Sequence, residues 1–247
     1  MSRAKEIMTR GRLAVILIIA ILLIDQFIKI WVKTHMELHE SIRVTDWFYI
    51  SFIENNGMAY GMQIGSKLLL SLFRIVAIGV LGYYIWLQVR LKDVRWGYIV
   101  CLSMILAGAV GNLIDCLFYG LCFDASTVGH VSQYVGFGNG YESFLFGRVV
   151  DMFYFPLIVT TYPEWVPFWG GQEFIFFSPV FNFADSSISV GVVALLLFYR
   201  KEISRISFSI GGRTKEKGVR TKDEGGRTNE EGGRMKEEGV RTKGDAE

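Results

Sequence analysis

Apolar residues are gathered into four long blocks: Leu13 to Val32, Leu68 to Val89, Gly97 to Phe118 and Phe181 to Tyr199. Each approaches the roughly 20 residues a helix needs to cross a bilayer. A basic stretch (Arg3, Lys5, Arg10, Arg12) precedes the first block, as it would a secretory leader. No small-x-small cleavage site follows, and the helix pattern continues through Asp25 and Lys29, so this block is expected to be a retained span. Lys and Arg fall at the N-terminus, between Arg90 and Arg95, and at Arg200, Lys201 and Arg205. From Tyr119 to Val180 the only one is Arg148. The positive-inside bias then puts both termini in the cytoplasm and the two loops after spans one and three outside.

The outer loops carry different patterns. Trp47 to Ile53 is β-branched and aromatic, which predicts a strand. Val149 to Trp169 is apolar enough to pass for a fifth helix. It contains Pro156 and Pro163, however, and with Pro167 the prolines break a helix interior. With Trp165, Phe168 and Trp169 it reads as an interfacial aromatic segment, beside a small sheet on the outer membrane surface. From Gly211 the sequence repeats every seven residues (GGRTKEK, GVRTKDE, GGRTNEE, GGRMKEE, GVRTKGD). The repeat has no apolar seam for a coiled coil and too little apolar surface to offset ordering entropy, so a disordered cytoplasmic tail is expected. The expected architecture is an α-helical membrane protein. It has four transmembrane helices, a small extracytoplasmic β-sheet and an interfacial loop segment in residues 1–210, and a tail over 211–247.

The 247 residues are 51% hydrophobic and carry a formal net charge of +2, which supplies no clustered basic face for nucleic acid. Cys101, Cys116 and Cys122 are odd in number and lack metal-ligand spacing. They read as packing residues, with a Cys116–Cys122 pair as the alternative. His35, His39 and His130 are scattered, so a zinc site lacks its ligands. Neither a metal nor a cofactor is expected.

Polar residues inside a bilayer tend to pair, to face a cavity or to do chemistry. Asp25 and Lys29 are four apart on one helical face and able to pair, either to orient the first span or to shape a site. Asn112 and Asp115 lie near the outer end of span three, after Ala107, Gly108, Ala109 and Gly111, whose small size admits a close helix neighbour. Asp185 opens span four, three residues after Asn182, and Asp151 lies in the outer loop. Topology therefore brings Asp115, Asp151 and Asp185 to one membrane face. Two carboxylates in a partly dry site share a proton near neutral pH. That supplies a base to activate water and an acid to polarise a carbonyl. No GxSxG elbow or local Cys–His motif competes. On spacing alone, a small proton- or ion-coupled transporter component remains an alternative.

In order along the chain, DQFIK (25–29), ENNGMAYG (54–61), GNLID (111–115), VVDMF (149–153) and FNFADS (181–186) resemble the motifs of lipoprotein signal peptidases, the signal peptidase II family. The resemblance spans roughly residues 13 to 200. It implies an aspartic endopeptidase of the bacterial cytoplasmic (inner) membrane, active on the extracytoplasmic side. The substrate implied is a prolipoprotein with a diacylglyceryl-cysteine, cut just before that cysteine, with membrane lipids around it and globomycin-type peptides as inhibitors. The implied catalytic pair is Asp151 and Asp185. Asn55, Gly57, Ala59, Asn112 and Asn182 match positions that bind substrate or support the pair, and Asp25, Lys29 and Asp115 match structural polar positions. Two departures stand out. Tyr60 and Cys116 occupy places where phenylalanine and arginine are usual, and the loop between Asp151 and Asp185 is longer.

Overall fold

The computed structural model describes residues 3–56, 67–91, 94–176 and 178–203. The repeat tail, 211–247, lies outside them. Contacts set residues 1–198 apart from the remainder of the chain, and the helices and sheets below all belong to this first unit.

Its frame is helical: α1 (Arg3–His35), α2 (Lys67–Val89), α3 (Trp96–Cys122) and α4 (Phe183–Phe198). Among the described residues the first three are long and apolar enough to cross a membrane, and α4 is a shorter apolar helix. The first helix begins well before its apolar block, so Arg10 and Arg12 lie within it. Arg10 donates to the Leu91 carbonyl at the far end of α2. The central element is α3, which packs against each of the other three helices. Glycine permits its approach to both neighbours: a Cβ at Gly108 would lie 2.3 Å from the Ala184 carbonyl oxygen of α4, and one at Gly111 would lie 2.7 Å from a carboxylate oxygen of Asp25 on α1. The outward faces of α1 and α2 stay apolar, with Leu23, Phe27, Phe73 and Val76 exposed, as lipid-facing surfaces require.

Near its C-terminal end α3 loosens into a π-helical turn over Asp115–Tyr119. Such a turn inserts an extra residue into the helical repeat and commonly marks a functional site. Asp115, Cys116 and Tyr119 are all buried as a result. The backbone of Gly147 presses on this turn, its N–H donating to the Cys116 carbonyl at 2.9 Å. A Cβ on Gly147 would meet the Asp115 carbonyl oxygen at 2.1 Å.

Four strands, β1 (Ser41–Thr45), β2 (Phe48–Asn55), β3 (Val149–Tyr154) and β6 (Val180–Phe181), form one antiparallel sheet in the order β1-β2-β3-β6. The alternation of a strand puts Val150 and Met152 into a core with Val32, Met36, Phe52, Tyr119 and Phe123. Burying those side chains fixes the sheet to the ends of α1 and α3, and the intervening Asp151 points the other way. Between β3 and β6 the chain makes a separate hairpin, β4 (Ile158–Thr161) with β5 (Glu173–Phe176). The proline-containing segment is thus strand and turn, and no helix forms there. Trp165, Phe168 and Trp169 are exposed at the hairpin's far end. Cys101, Cys116 and Cys122 are all free thiols, so the Cys116–Cys122 pairing does not form.

Candidate active site

The pairing of Phe153 with Phe181 runs the chain back alongside Asp151 before it enters α4. Asn182 sits just ahead of that helix and caps it. Its side-chain oxygen accepts the backbone N–H of Asp185 at 2.8 Å, while the Asp185 carboxylate reaches back to the N–H of Asn182 at 3.4 Å. This reciprocal pattern satisfies two of the donors that every helix start leaves open. It also explains why α4 begins at Phe183, two residues later than the apolar block suggests. A third donor there, the N–H of Ala184, goes to Asp25 of α1 at 2.9 Å.

The same Asn182 bridges two acids. Its amide nitrogen donates to Asp151 at 2.7 Å and to the side-chain oxygen of Asn112 at 3.0 Å. The amide nitrogen of Asn112 in turn donates to Asp185 at 2.7 Å. Asn55, at the end of β2, donates to the other oxygen of Asp151 at 3.2 Å. Three asparagines from β2, α3 and the α4 cap therefore hold two carboxylates from β3 and α4. Asp151 is buried and Asp185 partly exposed. Burial first, and the neighbouring Asp185 charge second, push the Asp151 carboxyl up to about 7, against the opposing pull of the Asn55 and Asn182 hydrogen bonds. A carboxyl of that kind keeps its proton close to neutral pH beside a second acid, and the titration belongs to the pair. Water reaching the partly exposed Asp185 would meet two neighbouring carboxyl groups, an arrangement suited to general acid–base chemistry.

Asp25, Lys29 and Asp115 form a layer beneath the pair. The Lys29 ammonium lies 3.0 Å from Asp25 and 2.9 Å from Asp115, all three fully buried, and it donates to Asn112 at 2.9 Å. Burying an ion pair is affordable only when further hydrogen bonds satisfy the remaining acceptors, and they do here. Asp115 accepts from Gln26 at 3.0 Å and from the backbone N–H of Val150 at 3.2 Å, next to Asp151. The residues expected to be structural thus connect to the acids through Asn112 and Val150. Gly57 and Ala59, together with Tyr60, lie outside the described residues.

Several participants had no place in the sequence argument. Gln26 donates to Asp25, the Gly111 carbonyl and Asp115, and accepts from the Tyr119 hydroxyl. Lys33 continues the Asp25, Lys29 spacing by one turn and meets Glu54 at 2.5 Å and Ser126 at 2.9 Å, with Arg148 also on Glu54. That i+4 spacing was a readable signal. Arg74, one turn beyond Ser71 in α2, donates to the Cys116 thiol at 3.1 Å.

The chain is similar to known proteins over most of its length. The family model described as signal peptidase (SPase) II matches residues 17–200. A lipoprotein signal peptidase of Porphyromonas gingivalis is 52% identical over 195 residues, which is 79% of this chain and 86% of that protein. One from Amoebophilus asiaticus is 34% identical over 192 residues, covering 74% and 75% of the two chains. Among solved structures, a bacterial membrane enzyme superposes with a TM-score of 0.51 at 24% identity, over 78% of this chain and 90% of that one, and shares its fold.

Proposed function

The chain belongs to the signal peptidase II family, and on that premise we propose that it cuts diacylglyceryl-modified prolipoproteins just before the lipidated cysteine, with Asp151 and Asp185 as its catalytic pair. It is an aspartic peptidase of a bacterial membrane that removes signal peptides from prolipoproteins. The observation that carries the assignment of the pair is the asparagine clamp. It holds two acids from separate elements together and leaves one partly open to solvent.

In the proposed reaction, ionised Asp185 takes a proton from water while the protonated Asp151 polarises the scissile carbonyl. The tetrahedral intermediate collapses as a proton passes to the leaving amine, and the pair is left with one proton again. Asn55, Asn112 and Asn182 hold the acids in register, and Gly57 and Ala59 bind substrate or support the pair. Asp25, Lys29 and Asp115 keep α1, α3 and α4 fixed below them. In this reading α4 is a fourth span, residues 1–210 are the peptidase domain, and the repeat over 211–247 is a cytoplasmic tail. Both termini are cytoplasmic, the acids face the extracytoplasmic side of the inner membrane, and globomycin-type peptides inhibit. The transporter alternative draws no support from relatives that are named as peptidases.

The test is processing of a diacylglyceryl-modified prolipoprotein by purified enzyme in detergent, with wild type beside Asp185→Asn and Asp151→Asn. Wild type should release the signal peptide just before the lipidated cysteine, and both variants should be inactive while still folded. Normal turnover by either variant would remove that residue from the pair.

A further inference from the structure

Arg74 is a charged residue on an apolar helix. It lies seven residues into α2, about 10 Å along the axis from Lys67 at 1.5 Å per residue. A guanidinium at such a position carries five donors and no means of shedding its charge, so it calls for an oxygen-rich partner. The side chain is half-buried, and the partner found is the Cys116 thiol at 3.1 Å. A thiol is a weak acceptor. Among the described residues no carboxylate pairs with Arg74. The stretch 57–66 that leads into α2 contains no Asp or Glu at all.

Its neighbours define where the missing partner would lie. Lys67, Ser71 and Arg74 share one face of α2 and each reaches inward. Lys67 donates to Asn56 at 3.1 Å, Ser71 to the Leu145 carbonyl at 2.9 Å, and Arg74 to Cys116. The Cys116 carbonyl holds the N–H of Gly147, two residues ahead of β3, and the adjoining Asp115 holds the N–H of Val150 beside Asp151. The guanidinium is thus fixed one thiol away from the segment that carries an acid of the site. It lies on the flank facing α2, below the level of Lys67.

The proposed substrate places acceptor oxygens there. The cysteine directly after the scissile bond carries the diacylglyceryl group, whose two ester carbonyls sit a few bonds from its sulfur. When that bond lies at the acids, the esters must lie close to them, on the side from which the acyl chains enter lipid. We propose that the Arg74 guanidinium, steadied by Cys116, binds the ester carbonyl oxygens of the diacylglyceryl group and so selects lipidated substrate. This rests on the function proposed above and assigns the lipid-recognising donor within it. The planar fork suits two neighbouring carbonyls, which a lysine would meet as a point charge only.

The experiment compares wild type, Arg74→Met and Arg74→Lys on two prolipoprotein peptides that differ only in the glyceryl group, diacyl ester against dialkyl ether. Methionine preserves the apolar stem and removes a charge from the membrane, so insertion is not expected to suffer; thermal unfolding checks this. Wild type should favour the ester by roughly tenfold in kcat/KM, mostly through KM, as the loss of a charge-assisted hydrogen bond implies. Arg74→Met should lose that preference and cut both peptides at the wild-type rate for the ether. Arg74→Lys should retain part of the preference. An ester-to-ether ratio that is unchanged in Arg74→Met, or equal to one in wild type, overturns the proposal. So does a changed response to added phosphatidylglycerol with the ratio intact, which assigns the guanidinium to a lipid phosphate. Failure of wild type to cut the ester peptide at all would strike the proposed function itself, a separate outcome.

Discussion

Replacing Asp151 by asparagine should make the protein more stable in alkaline buffer than the wild type while it removes activity. The carboxyl is buried, and burial together with the Asp185 charge raises it from 3.8 to about 7. A raised carboxyl favours the folded state while protonated, and that contribution is lost as pH climbs through the folded value. With these two values as the unfolded and folded limits, linkage gives a loss of about 2 to 3 kcal/mol between roughly pH 5 and pH 8. For a chain of this size that corresponds to a fall of about 5 to 10 °C in Tm. The asparagine variant has nothing to ionise. Its NH2 group turns one of the contacts with Asn55 and Asn182 into donor against donor, at about 1 kcal/mol. That cost is the same at every pH and drops out when one pH is compared with another. Tm in detergent, measured by intrinsic fluorescence across this range, should therefore fall more steeply for wild type than for Asp151→Asn. In Asp185→Asn the slope should be intermediate, because burial remains and only the second cause is gone. Parallel profiles for wild type and Asp151→Asn would refute the reasoning.

Three further outcomes follow. Lys29→Met leaves two buried carboxylates facing each other without their cation, and should cost about 3 to 5 kcal/mol, read as a large drop in Tm and in membrane yield. Gly108→Ala places a methyl 2.3 Å from the Ala184 carbonyl; the helices must part, at about 1 to 3 kcal/mol, and kcat for signal-peptide release should fall as the Asp185 end of α4 shifts. Deleting everything after Ser209 should leave cleavage within about twofold, since the matched family region ends at residue 200; a large loss would give the tail a part in the reaction.

The sequence carries the helices well because their signal is local. A long apolar run flanked by Lys and Arg places α2 and α3 within a few residues and the apolar part of α1, which itself starts ten residues earlier, and three prolines rule out a helix in the run after Asp151. Strand β2 is legible from Trp47 to Ile53. The hairpin of β4 and β5 is not, because IVTT and EFIF are too short to separate from the aromatic run around them. Within the site, the acids are legible because their topology brings them to one face. The partners of those acids depend on contacts between distant segments. Asn112 touches both Asn182 and Lys29, and Asp25 caps a helix 159 positions away. Gln26 has no pattern of its own beside the conspicuous Asp25. Arg74 falls at the edge of a deep apolar run, and its meaning appears only when the π turn of α3 presents Cys116 to it.

The bond from Asp25 to the N–H of Ala184 ties α1 to α4 across 159 positions of chain. Until α4 is translated, α1 and α3 hold one cation, Lys29, against two carboxylates, Asp25 and Asp115, with Gln26 donating to both acids. The growing chain does not have Asp185, Asn182 or the cap that positions them. On the proposed assignment of Asp151 and Asp185, competence therefore waits for α4 to dock against Gly108 and Gly111. A chain truncated before residue 182 is expected to insert and to leave prolipoprotein uncut.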